Sequence, residues 1–141
     1  WFFRLSKYQR EIESKIKSGE FKIIPESRRN EILSFIESGL EDVSFSRPKS
    51  DLQWGIPVPN DPDQVIYVWC DALSNYITAI GYAEESEKFK KLWPADLQII
   101  GKDILRFHAA IWPGMLLSAG LPLPKISFCA RLYNSRGRED V

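Results

Sequence analysis

Twice in this chain a run of β-branched, aliphatic or aromatic residues leads without a spacer into an amphipathic helix. Val65-Ile66-Tyr67-Val68-Trp69 passes into Asp71-Ala72-Leu73-Ser74-Asn75-Tyr76-Ile77, with Asp71 placed to cap the helix and Gly81 to end it. Leu97-Gln98-Ile99-Ile100 passes through Gly101 into a second helix opened by Asp103. Continuous apolar runs of this kind read as strands buried on both faces. Lys125-Ile126-Ser127-Phe128-Cys129 supplies a third. Strand–helix–strand–helix–strand predicts an α/β fold with parallel strands and flanking helices, and places a ligand site at the carboxyl ends of the strands.

Two helices precede this core. Leu5, Tyr8, Ile12 and Ile16 fall on one helical face ending near Gly19. After an extended link, Phe21 to Ile24 and Pro25, a second helix carries Ile32, Leu33, Phe35, Ile36 and Leu40, with Ser27 as its candidate cap. Val43 to Arg47 alternates like a strand, and Pro48, Pro57, Pro59 and Pro62 make the following stretch rigid and turn-rich. Within it, Gly55 beside Trp54 permits close approach of backbone or ligand. Glu84 to Lys91 reads as a solvated helix or loop. Pro113 falls inside the Asp103 helix and is expected to kink it.

Composition closes several functional classes. Nineteen Lys plus Arg balance nineteen Asp plus Glu, so no strong field draws the 141 residues to nucleic acid or an anionic membrane. Two cysteines and one histidine are too few for a structural zinc site or a disulfide framework. No apolar run reaches a membrane span and no signal-peptide pattern is present, so a soluble, cytosolic-type protein is expected. The start at Trp1-Phe2-Phe3 reads as the interior of a longer protein.

The two strand-to-helix junctions hold the candidate site. Gly101 lets backbone approach a ligand, and Asp103 can accept hydrogen bonds from ribose hydroxyls; the bland alternative is a tight turn with Asp103 as a cap. Ile104, His108 and Trp112 share one helical face, and Trp69, Ala72, Leu73 and Tyr76 occupy the other junction. Together they can line an apolar pocket with Tyr76 and His108 as polar handles, suited to a flexible apolar or thioether side chain. Ordinary core residues would show the same spacing. No nucleophile–base pair, metal spacing or phosphate-cradling glycine loop is visible.

Five ordered blocks resemble the methionyl-tRNA synthetases of bacterial or organellar type. They are Tyr67 to Gly81, Gly101 to His108 with Trp112-Pro113, Ser46-Arg47 followed by Trp54 to Pro59, Trp1 to Tyr8, and Glu26 to Glu31. The match covers residues 1 to about 126, and it fits better than the synthetases for leucine, isoleucine or valine. The resemblance implies the second half of a Rossmann-type class I catalytic domain (26–128), preceded by the end of a connective insert (1–25). It implies methionine, ATP with Mg2+, and tRNA as substrates, in the cytoplasm or, in a eukaryote, the mitochondrion. By motif position, Trp69, Ala72, Leu73, Tyr76, Ile104, His108 and Trp112 match the methionine pocket, Gly101 and Asp103 the adenosine site, and Arg47 an arginine near the active site. No metal ligand and no catalytic residue is implied within the chain.

The HIGH and KMSKS motifs, which the family uses to stabilise the transferring phosphates, are absent, so the chain alone is expected not to activate methionine. The alternative is a non-catalytic remnant that binds methionine weakly. Residues 129–141 depart from the family pattern. Read one nucleotide later, their codons permit Ala-His-Gly-Phe after Phe128 and Gly-Glu-Lys-Met-Ser at the end, in the family's spacing. A one-nucleotide frameshift near codons 125–128 is therefore expected, and the tail beyond Cys129 should pack poorly.

Overall fold

The structure is a computed structural model and describes residues 1–130; the expectation for the tail falls on residues outside that range. In chain order the elements are β1 (Phe2–Phe3), a 3₁₀ turn (Leu5–Tyr8), α1 (Gln9–Ser18), β2 (Lys22–Ile24), α2 (Glu26–Glu37), β3 (Val43–Ser44), β4 (Ser46–Pro48), β5 (Pro57–Val58), β6 (Asp61–Ile66), α3 (Val68–Thr78), α4 (Glu87–Leu92) and β7 (Leu97–Gly101). A 3₁₀ turn (Lys102–Ile104), a π-helical turn (Phe107–Ile111), α5 (Trp112–Ser118) and β8 (Ile126–Ala130) follow. They divide into two compact units. The first comprises residues 1–6 and 41–92, the second residues 7–40 and those from 93 onward.

The second unit is the α/β unit that the sequence predicts. Its sheet is parallel with strand order β2-β8-β7, and Ile24, Phe128 and Ile99 stand side by side across it. Alternation along each strand sends Ile23, Gln98, Ile100, Ser127 and Cys129 to a buried face. α2 packs on β2, and α1 packs on α2 and α5, so Ile12, Ile16, Phe21, Ile32, Ile36, Leu105 and Leu116 are all buried within this unit. Gly19, at φ +82, ends α1 as expected, because a residue without Cβ adopts the left-handed conformation at no steric cost.

The strand membership differs from the reading above at two points. Lys22–Ile24, expected only as a link, is a strand of the parallel sheet. The Val65–Trp69 run is not: β6 spans Asp61–Ile66 and lies in an antiparallel sheet of the first unit, order β4-β6-β5. Pro59 and Asn60 explain why. Val58 pairs with Asp61 across these two residues, Asn60 has φ +64, and Pro followed by a left-handed residue is the chemistry of a type II turn. The hairpin satisfies β6 locally, so the apolar run has no parallel neighbour. The expected strand Val43–Arg47 also divides, β3 pairing with β1 and β4 with β6.

Helix starts shift as well. α3 begins at Val68 behind Tyr67, so Asp71 lies inside the first turn rather than at the cap, and α2 begins at Glu26 behind Pro25 rather than at Ser27. Neither cap residue makes a side-chain hydrogen bond. The Asp103 helix is broken into 3₁₀, π and α segments. The amide of Trp112 reaches the carbonyl of Phe107, five residues back, immediately before Pro113. Widening the helix there accommodates the proline, which lacks a donor and would crowd the carbonyl four residues earlier.

Candidate functional site

In the first unit, Arg47 projects from β4 with its guanidinium carbon 4.1 Å from the centre of the Tyr67 ring. Its Nη1 donates to the carbonyls of Ser44 (3.2 Å) and Ser46 (2.8 Å). Tyr67 is itself tied down, its amide donating to the carbonyl of Phe45 at 2.9 Å. Buried Ser46 donates to Gln64 Oε1 at 2.8 Å, locking β4 to β6. A guanidinium fixed by stacking and by two carbonyls keeps its Nε and Nη2 donors in a set direction, which suits a carboxylate or a phosphate.

Trp69, Ala72, Leu73 and Tyr76 all lie on α3, one to two turns apart. Leu73 has no exposed surface, Trp69 is half-buried, and Ala72 and Tyr76 are exposed. Partial burial pushes the Tyr76 phenol up from its ordinary pKa, so it remains a neutral hydroxyl. Burial, assisted by the charge of Asp71, likewise raises the Cys70 thiol, which disfavours its use as a nucleophile.

The same unit contains a cavity of about 430 Å³ lined by Leu52, Trp54, Gly55, Ile56, Ile66, Val68 and Asp71. None of the candidate residues lines it, although Val68 and Asp71 flank Trp69 and Ala72 in sequence. Gly55 lines this cavity and also has a packing reason: a Cβ there would sit 3.1 Å from Cβ of Val65. The cavity was not legible beforehand, since its wall joins residues from the proline-rich stretch, β6 and α3.

In the second unit, Gly101 ends β7 in extended conformation, and Asp103 lies within the following 3₁₀ turn. Gly101 caps that turn, so Asp103 is not the cap residue. Its carboxylate is exposed and makes no hydrogen bond among the described residues, leaving it open to a hydroxyl donor. Ile104 is half-buried, whereas His108 and Trp112 are almost entirely enclosed. The Trp112 ring meets Trp93 edge to face, centroids 5.9 Å apart.

His108 sits in the π-helical turn with Nδ1 3.0 Å from the carbonyl of Ile104. A carbonyl only accepts, so Nδ1 carries the proton and Nε2 presents a lone pair. Burial holds the imidazole's pKa below its ordinary value, only partly opposed by the carbonyl, and the ring is neutral at pH 7.

Among the described residues, no group of three or more His, Cys, Asp or Glu could hold a metal ion, and no helix is long and apolar enough to cross a membrane.

The second unit thus combines a parallel α/β sheet, an exposed carboxylate just after the Gly101 strand end and a neutral aromatic-and-imidazole cluster on the next helix. The chain belongs to the class I tRNA synthetases (M), whose family model matches residues 1–138. Within that family it is similar to methionine–tRNA ligases. It is 57% identical over 129 residues to that of Caldanaerobacter subterraneus subsp. tengcongensis, covering 91% of this chain and 20% of that protein. With the Rickettsia bellii enzyme it shares 48% over 139 residues, covering 99% and 27%. The solved Mycobacterium tuberculosis methionyl-tRNA synthetase in complex with methionyl-adenylate superposes with a TM-score of 0.88 at 48% identity, over 96% of this chain and 26% of that one. The chain thus spans about a fifth to a quarter of the length of these relatives.

Proposed function

We propose that these residues serve a methionine–tRNA ligase, which activates methionine with ATP to methionyl-adenylate and passes it to tRNA. The observation that carries this reading is the chain-long likeness to a structure solved with methionyl-adenylate. In this reading, Trp69, Ala72, Leu73, Tyr76, Ile104, His108 and Trp112 bind the methionine side chain. An environment of aromatic rings and an uncharged imidazole suits a thioether, which is polarisable and gains nothing from a charge. Gly101 and Asp103 hold the adenosine, the former by leaving room and the latter by accepting from ribose hydroxyls. Arg47 meets an anionic group of the substrates. Mg2+ arrives with ATP as the counter-ion of its phosphates, and in this reading none of the described residues is a ligand to it.

The domain assignment belongs to the same proposal: 1–25 as the end of a connective insert, 26–128 as the second half of the catalytic domain, and 129–141 as a stretch read out of frame. The working compartment is the cytoplasm, or the mitochondrion in a eukaryote.

Class I activation relies on the HIGH and KMSKS motifs to stabilise the transferring phosphates, and without them the 141 residues alone are proposed not to activate methionine. Titration of the purified chain with a non-hydrolysable methionyl-adenylate analogue should give saturable heat that methionine competes away, while leucine does not. Methionine-dependent pyrophosphate exchange above a mock preparation would overturn the inactivity of the chain alone, and absence of analogue binding would count against the site assignment.

A further inference from the structure

Tyr67 has been given no part in holding a substrate, yet it joins two elements of the first unit that have. It lies between β6 and α3. Its amide donates to the carbonyl of Phe45 and its carbonyl accepts from the amide of Cys70, both at 2.9 Å. The Phe45 ring in turn stacks on Phe3, centroids 5.0 Å apart and 9° from parallel. The backbone is thus tied on both sides of the Tyr67 Cα, which sets where its half-buried ring can lie. That ring covers the Arg47 guanidinium, whose carbon is 4.1 Å from the ring centre. The carbonyls of Ser44 and Ser46 hold only Nη1, one corner of the fork. Hydrogen bonds at a single nitrogen leave the group free to swing about that corner. A ring against its face removes the freedom and displaces water from that face. The phenol oxygen makes no hydrogen bond among the described residues, so Tyr67 contributes its ring face rather than its hydroxyl.

We propose that Tyr67 is a positioning residue, whose ring fixes the Arg47 guanidinium relative to α3 so that Nε and Nη2 meet a pair of anionic oxygens on the substrate. Tyr67 is the cap residue of α3, two positions before Trp69, so one residue sets both the cation and the start of the helix that carries Trp69, Ala72, Leu73 and Tyr76. The distance between an anionic end and an apolar end of a ligand is thereby built into the fold. A carboxylate of the amino acid and a phosphate of the nucleotide share the chemistry that the fork recognises. The inference rests on the ligase reading for the identity of the ligand, and on geometry alone for the hold on Arg47.

The hold is tested without ligand, by nuclear spin relaxation of the Arg47 Nε–H in the 141-residue chain. Its order parameter should stand above the ~0.6 that marks flexible groups, fall below it in Tyr67→Leu and stay above it in Tyr67→Phe. The consequence is tested by methionine-dependent pyrophosphate exchange in the R. bellii ligase carrying residues 1–126 of this chain in place of its own matching ones. There Tyr67→Leu should lower kcat/KM about tenfold, and Tyr67→Phe should keep it within about twofold of the parent. In an Arg47→Leu background, Tyr67→Leu should change it by less than about twofold, because residues that act as a unit are not additive. A rise in the KM for methionine alone assigns the carboxylate as the partner, and a rise for ATP alone the phosphate.

An Arg47 side chain as mobile in the parent as in Tyr67→Leu would overturn the proposal whatever the chain binds. So would equal losses of kcat/KM in the Arg47 and Arg47→Leu backgrounds, which would make Tyr67 a merely structural residue. If Tyr67→Leu does not fold, pentafluorophenylalanine at position 67 keeps the ring's shape and inverts its charge distribution, and the same losses are expected from it. A fixed Arg47 in a splice that melts cooperatively but shows no exchange would keep the positioning and sink the ligase reading, whereas exchange with a mobile Arg47 would do the reverse.

Discussion

The two units of the chain hold their shape by different means. In the second, burial does most of the work: Ile12, Ile16, Phe21, Ile32, Ile36, Leu105, Trp112 and Leu116 are enclosed around a parallel sheet. In the first, the buried apolar residues are few, Leu5, Val65, Leu73 and Ile77, while Trp54, Ile56 and Val68 stay largely exposed. Its strands are positioned by directed contacts instead: Ser46 on Gln64, Arg47 over Tyr67, and the Pro59–Asn60 turn. Burial tolerates small rearrangement but punishes lost volume, whereas directed contacts punish changes in geometry.

That contrast predicts its largest effect at Trp112. Truncating it to Ala removes an enclosed indole and its edge-to-face partner Trp93, and should cost about 3–5 kcal/mol. Urea melts of the chain would measure it. A cost below about 1 kcal/mol, typical of surface changes, would mean that the second unit is not held by its packed interior.

Glycine substitutions sharpen the comparison at the next level. Gly81 in the first unit has φ +89, and a Cβ there would lie 2.3 Å from the Ser86 hydroxyl. That hydroxyl already donates to the carbonyl of Ile80 and accepts from the amide of Phe89, so it is not free to move. Gly120 in the second unit has a comparable φ of +69 with nothing within 4 Å. Gly120→Ala should cost only the left-handed conformation, about 1–2 kcal/mol. Gly81→Ala should cost clearly more, because it breaks a directed contact as well. Equal losses in thermal melts would show that the Ser86 contacts add nothing.

How far the sequence revealed these units follows from the same physics. Leu97–Ile100 and Lys125–Cys129 were legible as strands because their apolar runs are nearly continuous, although among the described residues only one face of each strand is buried. Lys22–Ile24 escaped notice: three residues beginning with Lys carry little periodicity, and pairing with β8 rather than local propensity makes them a strand. Val65–Trp69 was misread in the opposite sense: once Pro59-Asn60 turns the chain, Val65 and Ile66 end the central strand of an antiparallel sheet and Val68 and Trp69 already belong to α3. At the site, the spacing of Ile104, His108 and Trp112 was legible, but the π-helical turn that contains His108 was not. It arises from Pro113 lying five residues beyond His108, and no periodicity rule anticipates it.

A smaller effect is expected with pH. His108 is the only histidine in the chain, and burial lowers its pKa in the folded state. Below the unfolded value near 6.5 the unfolded chain binds a proton that the folded one resists, so stability should fall as pH drops through and below that value. Above it, His108 contributes no slope. Melts of the wild type and His108→Asn between pH 5 and 7.5 check this. The variant should lack the part of the slope that lies above the carboxylate range, and an unchanged slope would mean that the ring protonates as easily folded as unfolded.

The smallest effect is expected at Trp54, and it tests the first unit most directly. The residue is 87% exposed, so its indole already meets water in the folded state and Trp54→Ala should change stability by no more than about 0.5 kcal/mol. Its side chain nevertheless forms one wall of the 430 Å³ cavity beside α3. Loss of the indole should therefore open that cavity without loosening β5 and β6, whose pairing depends on the turn and on Gly55 against Val65. A loss above about 2 kcal/mol belongs to enclosed side chains. It would mean that Trp54 folds down over the cavity in solution, and that the first unit, like the second, is held by burial.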